Sequence, residues 1–505
     1  MVNEVSNLVR IVTSRTMAAV PMLDLRGKQA SKERSFVEIL RNAPEATQLQ
    51  MAKGVYGKAT PANLQALQKL QSRVQTKLLN QLYFLDHSDP RHLVSRRYEL
   101  ECLDLLHKVS ILYAERDLKL AERLLLRCVR LAETGEFTQY LVQAVRMLRN
   151  LYVEQRKPAP YKKVTKSLLR AQQQLAWEDE AEQLQADIQL AASSTVAARR
   201  NLLATMPECL AQLESLHRRG RSFGTYNALF RARLTYEELQ GHFKEMIRVA
   251  AAAERYLQNG ELNARRFDLR FNHFVTIYAY LRSRQPVRGL LLAERYIRDF
   301  HPSSSNWFYF QEHYLLLALH AGRYELAQQL LDSVTKNPAF AGQREAALQR
   351  WDLYRSYTSF VLPTPRVLST RQRQVAQQML LLPEYSRDKR GHNVAILVLQ
   401  LLHFLRERNL EPVLLRLERL RKYQQRHLTE ATTLRSRLFL RLLQVIMEKS
   451  FDPVKAAERG QGLLQQLRDT PPPGEAFAEV EIIPYENLWG IVLELLREGP
   501  PVAVE

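Results

Sequence analysis

Cysteine, glycine and unbroken apolar runs are all scarce in this chain. Its three cysteines, Cys102, Cys128 and Cys209, are odd in number and far apart, which excludes a disulfide framework or a cysteine-rich zinc site. They read as small buried hydrophobes of a reducing compartment, so the cytoplasm is the expected location. Only 17 glycines occur among 505 residues, and strand-like alternation is nearly missing. The longest apolar stretch, Val394 to Leu405, is interrupted by Gln400 and His403 and is too short to cross a bilayer. The N-terminus carries Glu4 and Arg10 and lacks the apolar core of a signal peptide. No membrane association is therefore expected.

Catalytic signatures are missing too. The twelve histidines form no cluster, and His313 and His320 stand seven apart with no further ligand at metal spacing, so no metal is expected. Gly54-Val55-Tyr56-Gly57-Lys58-Ala59 hints at a phosphate loop, but the spacing is short and Ala59 replaces the required hydroxyl. There is no Gly-x-Ser-x-Gly elbow and no reactive-cysteine signature. The expectation is a non-enzymatic protein with no catalytic residues and no cofactor.

What is present is helical composition. Leu, Ala, Gln, Glu and Arg dominate, and 46% hydrophobic against 25% charged residues fits a folded globular chain. The predicted class is all-α. The formal charge of +20 is uneven: residues 1–450 carry +26 and residues 451–505 carry −6. A basic body favours acidic partners, nucleic acid among them, while the acidic tail can shield it in cis.

Four regions follow from the punctuation. Residues 1–90 hold a short helix and then three more, Ser31–Arg41, Ala46–Tyr56 and Ala62–Leu85. In the last of these Thr60 can cap, Pro61 suits the first turn, and Leu64, Leu67, Leu70, Val74, Leu78, Leu82 and Leu85 form one stripe. Residues 91–362 read as successive helical pairs. Small or apolar residues early in each second helix, at Ala121, Val164, Met246, Gly289 and Ala327, are separated by 43, 82, 43 and 38 residues. That is a period near 40, with one ill-defined unit. Residues 363–470 begin at Pro363 and Pro365, continue through a helix Arg373–Leu382 and a charged loop, and end in two long pairs, His392–Arg426 and Thr429–Leu467. Residues 471–505 are an acidic tail. Its extended run Glu479–Pro484 and amphipathic helix Asn487–Arg497 are expected to cap the last open helix face.

The clearest pair runs from Gln311 to Ala339. It has an apolar first helix, a His320-Ala321-Gly322-Arg323 turn, and a second helix opened by Tyr324 with Ala327 one turn in, ended by Asn337-Pro338. This unit resembles a tetratricopeptide repeat: Gly322 at the inter-helix turn, Tyr324 opening the second helix, Ala327 as the small packing residue, then Leu331 and Pro338. The family's early Trp is missing, and the other units match only in period. The resemblance implies a right-handed α-solenoid with a concave binding face. The stretch from Tyr385 through Trp489 resembles helical proteins of bacteria to which no activity is attached.

Three residue sets are binding candidates. Lys69, Arg73 and Lys77 lie at i, i+4 and i+8, a stripe about 12 Å long by helical rise. With Gln68, Gln71, Ser72, Gln75 and Thr76 around them, and a helix and turn before them, they fit nucleic-acid contact through a helix-turn-helix layout. A solvated basic face is the plainer alternative. Arg416, Arg419, Arg421, Lys422 and Arg426 on one helix, and Arg435, Arg437 and Arg441 on the next, fit an anionic partner. The alternative is pairing with Glu411, Glu418, Glu430 and Glu448. The third set is aromatic: Trp307, Phe308, Tyr309, Phe310 and Tyr314, and Phe267, Phe271, Phe274 and Tyr278 beside Arg266 and Arg270. Base stacking is the functional alternative there, but the spacing favours core. The leading expectation is an interaction scaffold binding a protein or peptide, of unknown oligomeric state. The alternative is a DNA-binding transcriptional regulator in which Ser31–Leu85 reads DNA and the helical repeats sense a partner.

Overall fold

The structure is a computed structural model that describes residues 2–14, 21–24, 31–43, 45–85, 94–362, 392–428, 433–472 and 481–499. Every regular element among these residues is helical, and none is long and apolar enough to cross a membrane. The predicted helix Arg373–Leu382 and its loop lie outside the described residues.

The chain divides into two compact units, residues 1–131 with 143–162, and residues 132–142 with 163–505. The first begins with α1 (Val2–Ser14), α2 (Lys32–Asn42), α3 (Gln48–Tyr56) and α4 (Pro61–Gln81), the last running into a 3₁₀ turn at Leu82–Phe84. Local chemistry explains these bounds. The Ser31 hydroxyl accepts from Arg34 N, Thr47 and Gln50 form a capping box, and Thr60 accepts from Asn63 N ahead of Pro61. Helices α2, α3 and α4 pack on one another around Phe36, Met51, Ala52, Leu67, Leu70 and Val74. The predicted α4 stripe is buried only that far; Leu78, Leu82 and Leu85 are exposed.

The remaining helices are α5 (Val94–Ala114), α6 (Leu118–Gly135), α7 (Thr138–Glu154), α8 (Pro158–Ala192), α9 (Val196–Gly220), α10 (Phe223–Gln240) and α11 (Phe243–Gln258). Then come α12 (Leu269–Arg282), α13 (Pro286–Tyr296), α14 (Ser305–His320), α15 (Tyr324–Lys336) and α16 (Glu345–Val361). The last are α17 (His392–Arg406), α18 (Leu410–His427), α19 (Leu434–Glu448), α20 (Pro453–Asp469) and α21 (Tyr485–Glu498). From α9 onward each helix packs mainly on its sequence neighbours.

One turn recurs through both units. A left-handed residue ends the first helix of a pair at Arg116, Arg156, Gly241, Arg284, Gly322, Arg408 and Ser450, with φ between 53° and 78°. In each case the next N–H donates to the carbonyl five residues back, at 2.8–3.3 Å, which satisfies a helix-end acceptor. Successive turns are 40, 85, 43, 38, 86 and 42 residues apart, so the period near 40 continues beyond residue 362. Five residues after five of these left-handed residues stands a buried side chain or glycine at the helix crossing, Ala121, Met246, Gly289, Ala327 and Val413, whereas Lys455, five residues after Ser450, is exposed. Val164 is off this register, where Tyr161 stands at 37% exposure. The ill-defined unit corresponds to α8 and α9, which run 35 and 25 residues.

Four of these turn residues are arginines in a conformation that costs non-glycine residues about 1–2 kcal/mol. Arg156→Gly is therefore expected to stabilise the protein by about 0.5–1 kcal/mol in urea denaturation, since strain relief exceeds glycine's entropic cost. A loss of stability would show that the arginine side chain, not the turn, sets the conformation there.

A single core runs from Ile277 to Leu496, so Pro363 and Pro365 do not separate two cores. The tail joins this core: Ile482 and Ile483 are buried, and α21 packs on α17, α19 and α20.

Candidate partner-binding face

The first helices of consecutive pairs in the second unit are α10, α12, α14 and α16, and α12 touches α14 directly. Helical spacing puts Arg231, Thr235 and Glu238 on one face of α10, and Phe271, Phe274 and Tyr278 on one face of α12. These six, with His313 of α14 and Gln185 and Gln189 of α8, line a cavity of about 410 Å³.

Its groups are linked. The Arg231 guanidinium lies 4.4 Å over the Phe271 ring. The Tyr278 hydroxyl donates to Glu238 at 2.9 Å. His313 meets Phe274 edge-on at 4.8 Å between ring centroids, and its Nδ1–H donates to the Tyr309 carbonyl at 2.9 Å. Beyond it Glu312 accepts from Arg350 at 3.1 Å and from the Tyr354 hydroxyl at 2.6 Å, both on α16.

Burial raises the Glu238 carboxyl above its ordinary value, against the opposing effects of Tyr278 and Arg282. Burial likewise lowers Arg231 and His313, which keeps the imidazole neutral near neutral pH. Half-desolvated arginine and aromatic groups around a cavity are the composition of protein-recognition hot spots.

The aromatic sets divide accordingly. Phe267 is core, whereas Phe271, Phe274 and Tyr278 are half-buried and open onto the cavity. Trp307, Phe308, Phe310 and Tyr314 are core, with Tyr309 46% exposed. Arg231, Glu238, Gln185 and Gln189 escaped the sequence analysis; the one trace of them is the shared face of Arg231, Thr235 and Glu238.

Each cationic set is partly engaged within its own unit. Lys69 and Arg73 are exposed on α4, but Lys77 pairs with Glu33 of α2 at 2.7 Å. Arg419, Arg426 and Arg441 are exposed, Arg437 is half-buried, and the Arg416 guanidinium lies 5.8 Å over Phe404. Arg421 and Lys422 approach Glu418 at 4.0 and 3.8 Å.

Arg435 corrects the expectation of a surface contact. Its side chain is 1% exposed and pairs with Glu481 and Glu486 of the tail, and it donates to the Leu467 and Thr470 carbonyls. Glu486 also pairs with Arg284, and His320 Nε2–H donates to the Glu481 carbonyl at 2.7 Å. Two of the tail's carboxylates thus turn inward rather than shielding a basic surface. Gly322 adopts the left-handed turn, Tyr324 packs half-buried on the core, and Ala327 is fully buried. Among the described residues no group of three or more His, Cys, Asp or Glu is placed to hold a metal ion. No protein-family model, curated protein or solved structure matches this chain.

Proposed function

We propose that this protein is a non-enzymatic, tetratricopeptide-like α-solenoid of the cytoplasm that holds a protein or peptide partner on the face formed by α10, α12, α14 and α16. The observation that carries this reading is the cavity bordered by Phe271, Phe274, Tyr278, Arg231 and Glu238 on first helices of consecutive pairs. Stacked hairpins work by presenting such a face to a partner. The test is affinity capture of the full chain with nuclease present, against Gln189→Trp. Gln189 is exposed at the mouth, so a bulky ring fills the entrance without entering the core. At least a tenfold loss of one nuclease-resistant partner is expected, with the melting temperature unchanged. Undiminished recovery would place the partner elsewhere.

The DNA-binding reading draws support from the separate α2–α4 core and from Lys69 and Arg73 exposed along α4. It requires nuclease-sensitive recovery and a flatter salt dependence in the Lys69→Gln/Arg73→Gln variant, by about 0.9 log units per lost phosphate contact.

A further inference from the structure

A second cavity of about 730 Å³ lies between α10 and α11, with different chemistry. Its wall is aromatic. Tyr226 stacks on Phe230 with centroids 5.9 Å apart and planes 11° apart, and meets Tyr256 edge-on at 6.2 Å. Leu229, Val249 and Ala252 also line it, and the alanine leaves room beside the rings.

Its rim is cationic. Four arginines line the cavity, and two have carboxylate partners: Arg233 with Glu214 and Arg248 with Glu245. Arg221 and Arg255 have no carboxylate partner among the described residues. The three acidic residues at the cavity are otherwise engaged. Glu136 accepts from Phe223 N, Glu245 holds Arg248, and Glu261 accepts from Asn259. His217, whose Nδ1 lies 3.1 Å from the Thr225 hydroxyl, is kept neutral by burial and by the neighbouring Arg221 charge. The Tyr226 hydroxyl, also at the cavity, has no hydrogen-bond partner among the described residues.

We propose that this cavity binds a nucleoside phosphate, its base against Tyr226 and Tyr256 and its phosphate between Arg221 and Arg255. Two unpaired guanidinium forks supply planar donors for phosphate oxygens, and tyrosine rings supply a stacking surface for any base. The volume is that of a small-molecule pocket rather than a strand-length channel, which favours a free nucleotide over a nucleic acid. The cavity does not share its lining with the face around Phe274, so the two proposals stand independently.

Calorimetric titration of the full chain with AMP, adenosine and ribose 5-phosphate is the test. Saturable AMP binding is expected, at least tenfold tighter than either fragment, and weakened at least tenfold by Arg221→Gln/Arg255→Gln. Tyr256→Leu is expected to weaken AMP while sparing ribose 5-phosphate, and all three substituted side chains project from exposed positions, so melting curves should match the parent. Absence of AMP binding, or binding indifferent to these variants, would overturn the proposal. Binding of an acidic, tryptophan-bearing peptide in place of AMP would also overturn it and make the cavity a peptide site.

Discussion

Arg435→Ala is expected to lower unfolding stability by about 3–5 kcal/mol in urea denaturation, because it leaves the poorly hydrated Glu481 carboxylate without a cation and Glu486 with Arg284 alone. Glu481 and Glu486 are each 11% exposed, and both are held by this guanidinium. The same substitution orphans the Leu467 and Thr470 carbonyls, which end α20. The pH dependence has a definite sign. Burial alone would raise Glu486, but the Arg284 hydrogen bond and the Arg435 charge outweigh it and hold the carboxyl below its ordinary value. A carboxyl lowered in the folded state contributes stability above its unfolded pKa, and that stability is lost as pH falls through the folded value. The difference between parent and variant should therefore be widest near neutral pH and shrink through the acidic range. Arg435→Met with Glu481→Gln should recover part of the loss. A change below about 1 kcal/mol at neutral pH would mean that the tail is not anchored by this network.

Ala327→Arg is expected to cost about 3 kcal/mol or more, through overpacking and a charge without a partner. Ala327 is 0% exposed where α15 crosses α14, five residues beyond Gly322. Gln329→Arg, at an exposed mid-helix position on the same helix, should change stability by no more than about 0.5 kcal/mol. Chemical denaturation of the pair separates a helix-crossing effect from a general effect of added charge. Equal, small losses would remove Ala327 from the interface.

Local signals in the sequence were read well where they were complete. Thr60 and Pro61 located the start of α4, and Gly322 located the turn between α14 and α15. The same turn at Arg116, Arg156, Arg284 and Arg408 went unseen, because an arginine carries no mark of a left-handed conformation that tertiary packing imposes. Phe271, Phe274 and Tyr278 have the spacing of a buried stripe, and periodicity identifies a common face without saying whether that face meets core or cavity. Arg435 looked like one more basic surface residue. Its partners lie 46 and 51 residues along the chain, and α19 is buried at Ser436, Leu438, Phe439 and Leu440 as well, so no amphipathic pattern set it apart.

The claim that the α10, α12, α14 and α16 face receives a partner is tested most directly by site-specific photo-crosslinking. A photoreactive phenylalanine analogue placed at Phe274 should yield a discrete protein adduct that Gln189→Trp abolishes. The same analogue at Leu291, 68% exposed on α13, should not yield it. Adducts of equal intensity from both positions, or none from Phe274, would contradict the account.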